Sequence, residues 1–414
     1  MPTPTDSLTP LVNSPRAIDH KVTSVPNRHE TGAIPLASRT SGRNGAIGRD
    51  GNLPNDEQLR ALTGLRGVAA LAVVIFHLTY GIFGAATDIG WQLIPRRGYL
   101  AVDLFFILSG FVLAHVYGEE FALRLDRRRF GQFLWARFAR VYPVHLVTLL
   151  MLLRLYGEGT AYSGNAFILN LLLLQGPWLN YGSWNDPSWS ISLEWHAYIL
   201  FPLLCVFIWR RGIVAATFLA VACWLALCAM GLAQNWGVQP VSHGAWALAR
   251  SLPEFAIGIL VYRLYRSGWL ARVWGSDWSF AIIALVLMAL SPFWPTDLAI
   301  ITVLPVLLLA VASNHGRVQL VLNTRPIAAL GQISYSLYMV HLICLDTLLG
   351  ILGFQPQPAG VGLVAAAAMF LVALVAALVM ATLVSRCIEY PARSFLRGLW
   401  RRPAATSRAP ISLQ

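Results

Sequence analysis

From about residue 60 onward the chain alternates long apolar runs with short, Arg-rich polar breaks, the pattern of helices that cross a membrane and return. Apolar segments lie at roughly 61–83, 98–117, 141–156, 187–209, 213–235, 245–267, 278–295, 298–313, 329–351 and 361–388. A hydrocarbon layer about 30 Å thick needs about 20 helical residues, and most of these runs are long enough. The predicted fold class is all-α, a polytopic transmembrane helix bundle of about ten spans. A further stretch, 166–179, is short and ends Q-G-P-W, so it reads either as a span or as a re-entrant element.

Charge decides between these. With the amino terminus inside, the loop bearing Arg124, Arg127, Arg128, Arg129, Arg137 and Arg140 falls inside, as the positive-inside rule requires. Arg210 and Arg211, then Arg263, Arg266 and Arg272, then Arg317 and Arg325, and finally Arg393 to Arg402 also fall inside, but only if 166–179 does not cross. Ten spans with both termini cytoplasmic is the consistent count.

Composition changes that picture little: 57% of residues are hydrophobic and 12% charged. The net charge of +12 raises nucleic acid as a partner, but the basic residues sit in short loops and at the ends of apolar runs, so it reads as membrane orientation. Cys205, Cys223, Cys228, Cys344 and Cys387 lie in or beside apolar stretches, odd in number and without C-x-x-C spacing. They are expected to be reduced packing residues, and no metal site is expected. Residues 1–57, rich in Pro, Ser, Thr, Gly, Asn and Arg, are expected to be a disordered cytoplasmic tail. Asp6, Asp19, Glu30 and Asp50 argue against a transit peptide. Residues 58–397 form the membrane domain, and 398–414 a short basic cytoplasmic tail.

The candidate chemistry begins with Arg66 and His77, two ionisable residues in one apolar run, L-R-G-V-A-A-L-A-V-V-I-F-H. An eleven-residue step returns to nearly the same helix face about 16 Å along the axis, placing a cation near one membrane edge and an imidazole near the midplane. Ionisable groups inside lipid are costly and mark functional sites by default. Arg66 also reads as a snorkelling end anchor, and His77 as a packed histidine. By depth, Arg66, Arg137, Arg140 and His115 fall toward the cytoplasmic side, whereas Asp103, Glu194, Arg250 and Glu254 fall in the outer part of their helices. A basic inner mouth suits a phosphorylated anion. Outer carboxylates suit a hydroxyl-rich ligand or orient a histidine.

Six runs occur in order: L-R-G-V-A-A-L-A-V-V-I-F-H, R-G-Y-L-A-V-D-L-F-F-I-L-S-G-F, W-A-R-F-A-R-V-Y-P, P-S-W-S-I-S-L-E, G-Q-I-S-Y-S-L-Y-M-V-H and I-E-Y-P-A-R. Together, over about residues 58–397, the chain resembles the bacterial type-3 acyltransferases, integral membrane enzymes that O-acetylate surface polysaccharides and related acceptors. The resemblance implies a multi-pass protein of the bacterial inner membrane. Its donor would be acyl-coenzyme A, chiefly acetyl-coenzyme A, taken from the cytoplasm as a substrate with no bound cofactor. The acceptor would be a hydroxyl of a carbohydrate. Arg66 and His77 would be the catalytic motif, with His77 removing the acceptor's proton or carrying the acyl group, and Glu194 or Asp103 orienting the imidazole.

Arg137, Arg140, Asp103, Ser109, Ser334, Tyr335 and His341 are the expected donor- and substrate-binding residues. Several have a structural alternative. Ser109 belongs to a run that reads as a close-packed helix face, and Ser334, Tyr338 and His341 share one helix face that is either cavity lining or a polar seam. Trp184, Trp189 and Trp195 read as an interfacial belt or a sugar-stacking platform. The chain ends within about twenty residues of its last motif, so no appended esterase-like domain is expected. That leaves direct transfer or a partner protein of envelope biosynthesis open. A rival reading is a proton-coupled transporter using Arg66, His77, Asp103 and Glu194, though no paired broken segments accompany them.

Overall fold

A computed structural model of the chain describes residues 56–84, 95–156, 164–179, 184–233, 244–293, 296–353 and 362–401, and there it is helical throughout, without strands. The expected tails fall almost wholly on residues 1–55 and 402–414, outside the described residues. Helix α1 runs Asp56–Phe83. A 3₁₀ turn at Pro95–Leu100 leads into α2, Ala101–Leu113, which passes through a π turn at Ala114–Gly118 into α3, Glu119–Leu123. There follow α4 (Arg127–Tyr156), the short α5 (Gly164–Leu171) and α6 (Gln175–Trp178), α7 (Ser188–Arg210), α8 (Gly212–Ala233) and α9 (Ala245–Ser267). The last third holds α10 (Trp269–Trp274), α11 (Asp277–Leu290), α12 (Asp297–Ser313), α13 (Arg317–Leu322), α14 (Arg325–Ile351), α15 (Leu363–Val384) and, after a second π turn at Ser385–Glu389, α16 (Tyr390–Arg401).

Seven stretches are long and apolar enough to cross a membrane by length and composition: 56–83, 97–123, 127–155, 188–210, 245–267, 325–351 and 363–400. Shorter apolar helices occur at 217–229, 277–290 and 297–313. The protein is a multi-pass membrane protein. Its outward faces carry the apolar surface that lipid covers. On α15, for example, Ala366, Ala373, Ala377 and Ala381 are buried, while Leu371, Val372, Val375, Val379 and Leu383 are exposed. Lipid tails are as apolar as these side chains, so close packing of small residues, not hydrophobicity, selects the inner face.

Two expectations are revised, the loop placement of Arg127 to Arg140 and the reading of Trp184 and Trp189, whereas the broken backbone of 166–179 accords with a segment that does not cross. Arg127 to Arg140 lie within α4, not in a loop. Their run R-R-R-F-G-Q-F-L-W-A-R-F-A-R carries Phe130, Phe133 and Leu134 at helical spacing, with Phe133 buried, and Arg is a good helix former. The segment 166–179 does not form one helix. It breaks at Leu173, the one described non-glycine residue at positive φ, into helices of 8 and 4 residues, the longer spanning about 12 Å. Trp184 and Trp189, read as a belt or platform, are buried in the core, whereas Trp195 is half-buried.

Candidate active site

The candidate site is built on the seam between α1 and α14. Gly67 faces Gly331, His77 faces His341 and Gly81 faces Leu345, all at one offset of 264 positions, so the two helices run parallel and in register. On α14 the seam falls at 331, 334, 338, 341 and 345, and on α1 at 67, 70, 74, 77 and 81. That alternation of three and four residues is the seam of a left-handed helix pair. Small residues at its start admit the backbones: a Cβ on Gly67 would lie 2.5 Å from the Gly331 nitrogen. A second glycine pair closes the neighbouring crossing of α2 and α9, where Gly110 abuts the Phe255 carbonyl and Gly258 the Ile107 carbonyl. Close packing is therefore what the S-G-F of α2 supplies at Gly110.

Arg66 precedes the first glycine and reaches across the seam. Its Nε donates to Ser334 Oγ at 2.9 Å and its Nη2 to the Gly331 carbonyl at 2.8 Å. Ser334 Oγ donates in turn to that carbonyl at 2.8 Å. Arg66 thus does more than anchor a helix end, since it ties α1 to α14 with part of its fork and keeps its remaining N–H groups for another partner. His77 lies six residues before the end of the 28-residue α1, so it sits in the last third of the helix instead of at its middle.

His77 Nδ1 is 3.0 Å from the Val73 carbonyl and 3.1 Å from His341 Nε2. The two rings lie with centroids 4.9 Å apart. His341 is fully buried, and its Nδ1 is 2.7 Å from the Tyr338 carbonyl and 3.2 Å from that of Leu337. A carbonyl only accepts, so these contacts assign a proton to Nδ1 of each ring. In the neutral rings His341 Nε2 then accepts from His77 Nδ1–H, and His77 Nε2 carries the lone pair. Among the described residues no group bonds that nitrogen. It is the free basic atom of the seam.

Around Arg66 the charges are predominantly positive. Arg66 lies within Coulombic reach of Arg140, Glu389 and Glu194. Arg393 lies within reach of Arg140, Arg397, Arg137 and Glu389. Five guanidinium groups therefore gather about two carboxylates. Arg137 packs its guanidinium 5.6 Å from the Tyr117 ring centroid, and its buried Nε makes no hydrogen bond among the described residues. Glu389 closes the π turn after α15, is 3% exposed, and accepts from Ser336 Oγ at 2.6 Å. Glu389, Arg393 and Arg397 were not among the expected site residues, although the I-E-Y-P-A-R run contains the first two. The π turn that carries Glu389 left no signal in that run.

Glu194 accepts from Ser109 Oγ at 2.6 Å. It shares the cluster of Arg66 and Arg140, contrary to its expected place among outer carboxylates. The reason is local. Gln175 Nε2 donates to the Ser188 carbonyl at 3.0 Å, and the Gly176 amide donates to Ser192 Oγ at 3.0 Å, so the broken 164–179 segment lies across the first turns of α7. Counting depth from the first residue of α7 therefore misplaces it.

Asp103 faces elsewhere. Arg250 holds both its oxygens, with Nε 2.9 Å from Oδ1 and Nη2 2.5 Å from each oxygen, and Glu254 Oε1 lies 3.4 Å from Arg250 Nε. All three residues are buried, joining α2 to α9. Tyr335 donates to the Val141 carbonyl of α4 at 2.5 Å, and the Tyr338 hydroxyl meets Ser190 Oγ at 2.8 Å. The structure therefore joins Arg66, Ser334, His77 and His341 in one seam, and Ser109, Glu194, Arg137 and Arg140 beside its basic end. It places Asp103 and Tyr335 in helix-to-helix contacts.

The chain is similar in sequence to several known proteins. The chain is 28% identical over 396 residues to the acyltransferase MdmB of Streptomyces mycarofaciens, covering 87% of this chain and 97% of that protein. It is 46% identical over 96 residues to protein 2 in the picA locus of Rhizobium radiobacter, covering 23% of this chain and 44% of that protein. To the peptidoglycan O-acetyltransferase OatA of Listeria monocytogenes it is 24% identical over 165 residues, covering 36% of this chain and 24% of that protein. No solved structure matches the chain. The family defined by an acyltransferase domain matches residues 59–386, and the chain belongs to it, as an acyl-transferring enzyme of the type-3 membrane acyltransferases.

Proposed function

We propose that the protein is an O-acyltransferase of the bacterial cell membrane, with both termini cytoplasmic, that moves an acetyl group from acetyl-coenzyme A to a hydroxyl of an envelope carbohydrate. The observation that carries this reading is the basic cluster of Arg66, Arg137, Arg140, Arg393 and Arg397 about Glu194 and Glu389. Like charges gathered within a membrane domain repel one another unless a polyanion joins them, and Arg is the side chain that binds phosphate oxygens by a planar fork. The phosphates of coenzyme A fit that need. The pantetheine arm would then run alongside the packed α1–α14 pair, bringing the thioester from Arg66 toward His77.

At that end His77 Nε2 supplies the base. It removes the proton of the acceptor hydroxyl as the oxygen attacks the thioester carbonyl, a role that contributes about 10²- to 10⁴-fold. The acetyl group goes to the acceptor oxygen, the C–S bond breaks, and the proton passes from His77 to the departing sulfur. The resemblance of part of the chain to a peptidoglycan O-acetyltransferase supports a glycan hydroxyl as acceptor. The membrane enzyme would occupy residues 58–397.

The test is full-length protein in proteoliposomes of known orientation, supplied with labelled acetyl-coenzyme A and N-acetylglucosamine oligosaccharides. Donor is expected to work only from the face bearing the termini and acceptor only from the other. His77→Ala is expected to abolish transfer while the protein still inserts and purifies. Normal turnover by His77→Ala would end the assignment of the base. Acid quenching that traps acetyl on His77 would replace the base mechanism with an acyl-imidazole one. A requirement for both substrates on the same face would move the acceptor to the cytoplasmic side.

A further inference from the structure

We propose that His341 is a positioning residue for His77, taking the place behind the base that a carboxylate holds in a Ser-His-Asp triad. The inference rests on His77 being the base of acyl transfer. His341 is fully buried, with Nε2 3.1 Å from His77 Nδ1 and Nδ1 2.7 Å from the Tyr338 carbonyl. The carboxylates expected to orient His77 are engaged elsewhere, Glu194 by Ser109 and Asp103 by Arg250.

The backbone of α14 sets the order of protons. The Tyr338 carbonyl holds a proton on His341 Nδ1, which leaves a lone pair on His341 Nε2, which in turn holds a proton on His77 Nδ1 and keeps His77 Nε2 basic. When His77 Nε2 takes the acceptor proton, the positive ring still donates from Nδ1 to His341. When that proton goes to the coenzyme A sulfur, the pair returns to its starting state with no proton gained or lost. His341 stays neutral throughout. A neutral partner stabilises the imidazolium less than a carboxylate, but it spares the site a permanent charge inside lipid, where ionised groups are costly. The shared offset of 264 positions shows how the two rings are brought together, since the Gly67–Gly331 contact sets the register ten residues earlier on each helix.

A histidine that merely packs α14 against α1 predicts different behaviour from a positioning residue, and two near-isosteres separate them. In His341→Asn the side-chain amide stands near the Nδ1 position and leaves nothing at Nε2. In His341→Gln the amide reaches the Nε2 position and offers His77 an oxygen. With purified full-length protein, acetyl-coenzyme A and N-acetylglucosamine oligosaccharides, His341→Asn is expected to lower kcat by about 10²-fold with the KM for acetyl-coenzyme A within about twofold of wild type. His341→Gln is expected to recover about tenfold or more of that loss, and His341→Asn is expected to add nothing in a His77→Ala background. Where His341→Asn is not recovered folded, His341→Met, which fills the space without an acceptor, takes its place against Gln. Equal impairment of Gln and Asn, a loss confined to KM, or additive losses with His77→Ala would overturn the inference. Inactive His77→Ala beside fully active His341→Asn rejects only this inference, whereas active His77→Ala rejects the base on which it rests.

Discussion

Gly67 and Gly331 touch backbone to backbone, and ten residues further along the same two parallel helices His77 and His341 touch ring to ring. The first contact sets the second. Interhelical distance in a membrane is limited by the bulkiest residue at the crossing, so glycine there is what lets two imidazoles approach. Gly67→Val is expected to part the helices, cost about 1–3 kcal/mol of stability and reduce turnover more than tenfold. Gly350→Ala, whose added methyl meets nothing within 4 Å, serves as the control on α14. Thermal melting in detergent and turnover with acetyl-coenzyme A are the measurements. Unchanged melting and turnover for Gly67→Val would show that the backbones are not in contact.

Arg66 uses two nitrogens on α14, through Ser334 Oγ and the Gly331 carbonyl, and a lysine has one. Arg66→Lys therefore either keeps the helix contact and loses the donor or the reverse. The expected outcome is a rise of about tenfold in the KM for acetyl-coenzyme A, about 1.4 kcal/mol of lost binding. Ser334→Ala, which removes one arm of the helix contact and leaves the guanidinium, is expected to raise KM far less. Equal KM for Arg66→Lys and wild type would remove Arg66 from donor binding.

Asp103 and Arg250 are both buried, so each needs the other. Removing one leaves a charge in an apolar surround, and Arg250→Met is expected to cost about 3–5 kcal/mol. Because Glu254 Oε1 also lies 3.4 Å from Arg250 Nε, the apolar replacement has to cover all three. Asp103→Leu and Glu254→Leu with Arg250→Met together should recover much of that loss, since a buried charge cluster is often no better than apolar residues of similar volume. If instead Asp103→Asn leaves melting unchanged and raises only the KM for the acceptor glycan, Asp103 binds substrate as its sequence position suggested.

Much of this was legible in the chain and some was not. The eleven-residue stripe put Arg66 and His77 on one face of α1, and the spacing of Ser334, Tyr338 and His341 put them on one face of α14. That those two faces meet was not readable, since most faces of a membrane helix are apolar and pairing is chosen by shape. Asp103 and Arg250 lie on different helices, and their match depends on the glycine crossing of α2 and α9. Arg127 to Arg140 read as a loop because a span was judged by unbroken apolarity, whereas α4 extends beyond the apolar run as an amphipathic helix. Glu389 was hidden by its surroundings: an acid beside a basic tail looks like solvated surface until a π turn aims it inward toward Ser336.

The broken segment before α7 yields the last prediction. α5 and α6 have 8 and 4 residues, the break at Leu173 lies in the left-handed region, and a span needs about 20 residues. The Tyr142 hydroxyl donates to the Leu171 carbonyl at 3.1 Å and Ser192 Oγ donates to the Leu173 carbonyl at 2.7 Å. These bonds occupy carbonyls that the break leaves without an intrahelical partner, and they let irregular backbone persist within a membrane domain. A segment held in this way enters and leaves by the same face. Cysteines introduced at Gly164 and Leu179, in a background with the native cysteines replaced, are therefore expected to react with an impermeant thiol reagent from the same side of oriented vesicles. The positive-inside rule makes that the side opposite Arg210 and Arg211. Labelling from opposite sides would mean that 164–179 crosses. It would also reverse α7 relative to α4, and with it the face from which Glu194 is reached.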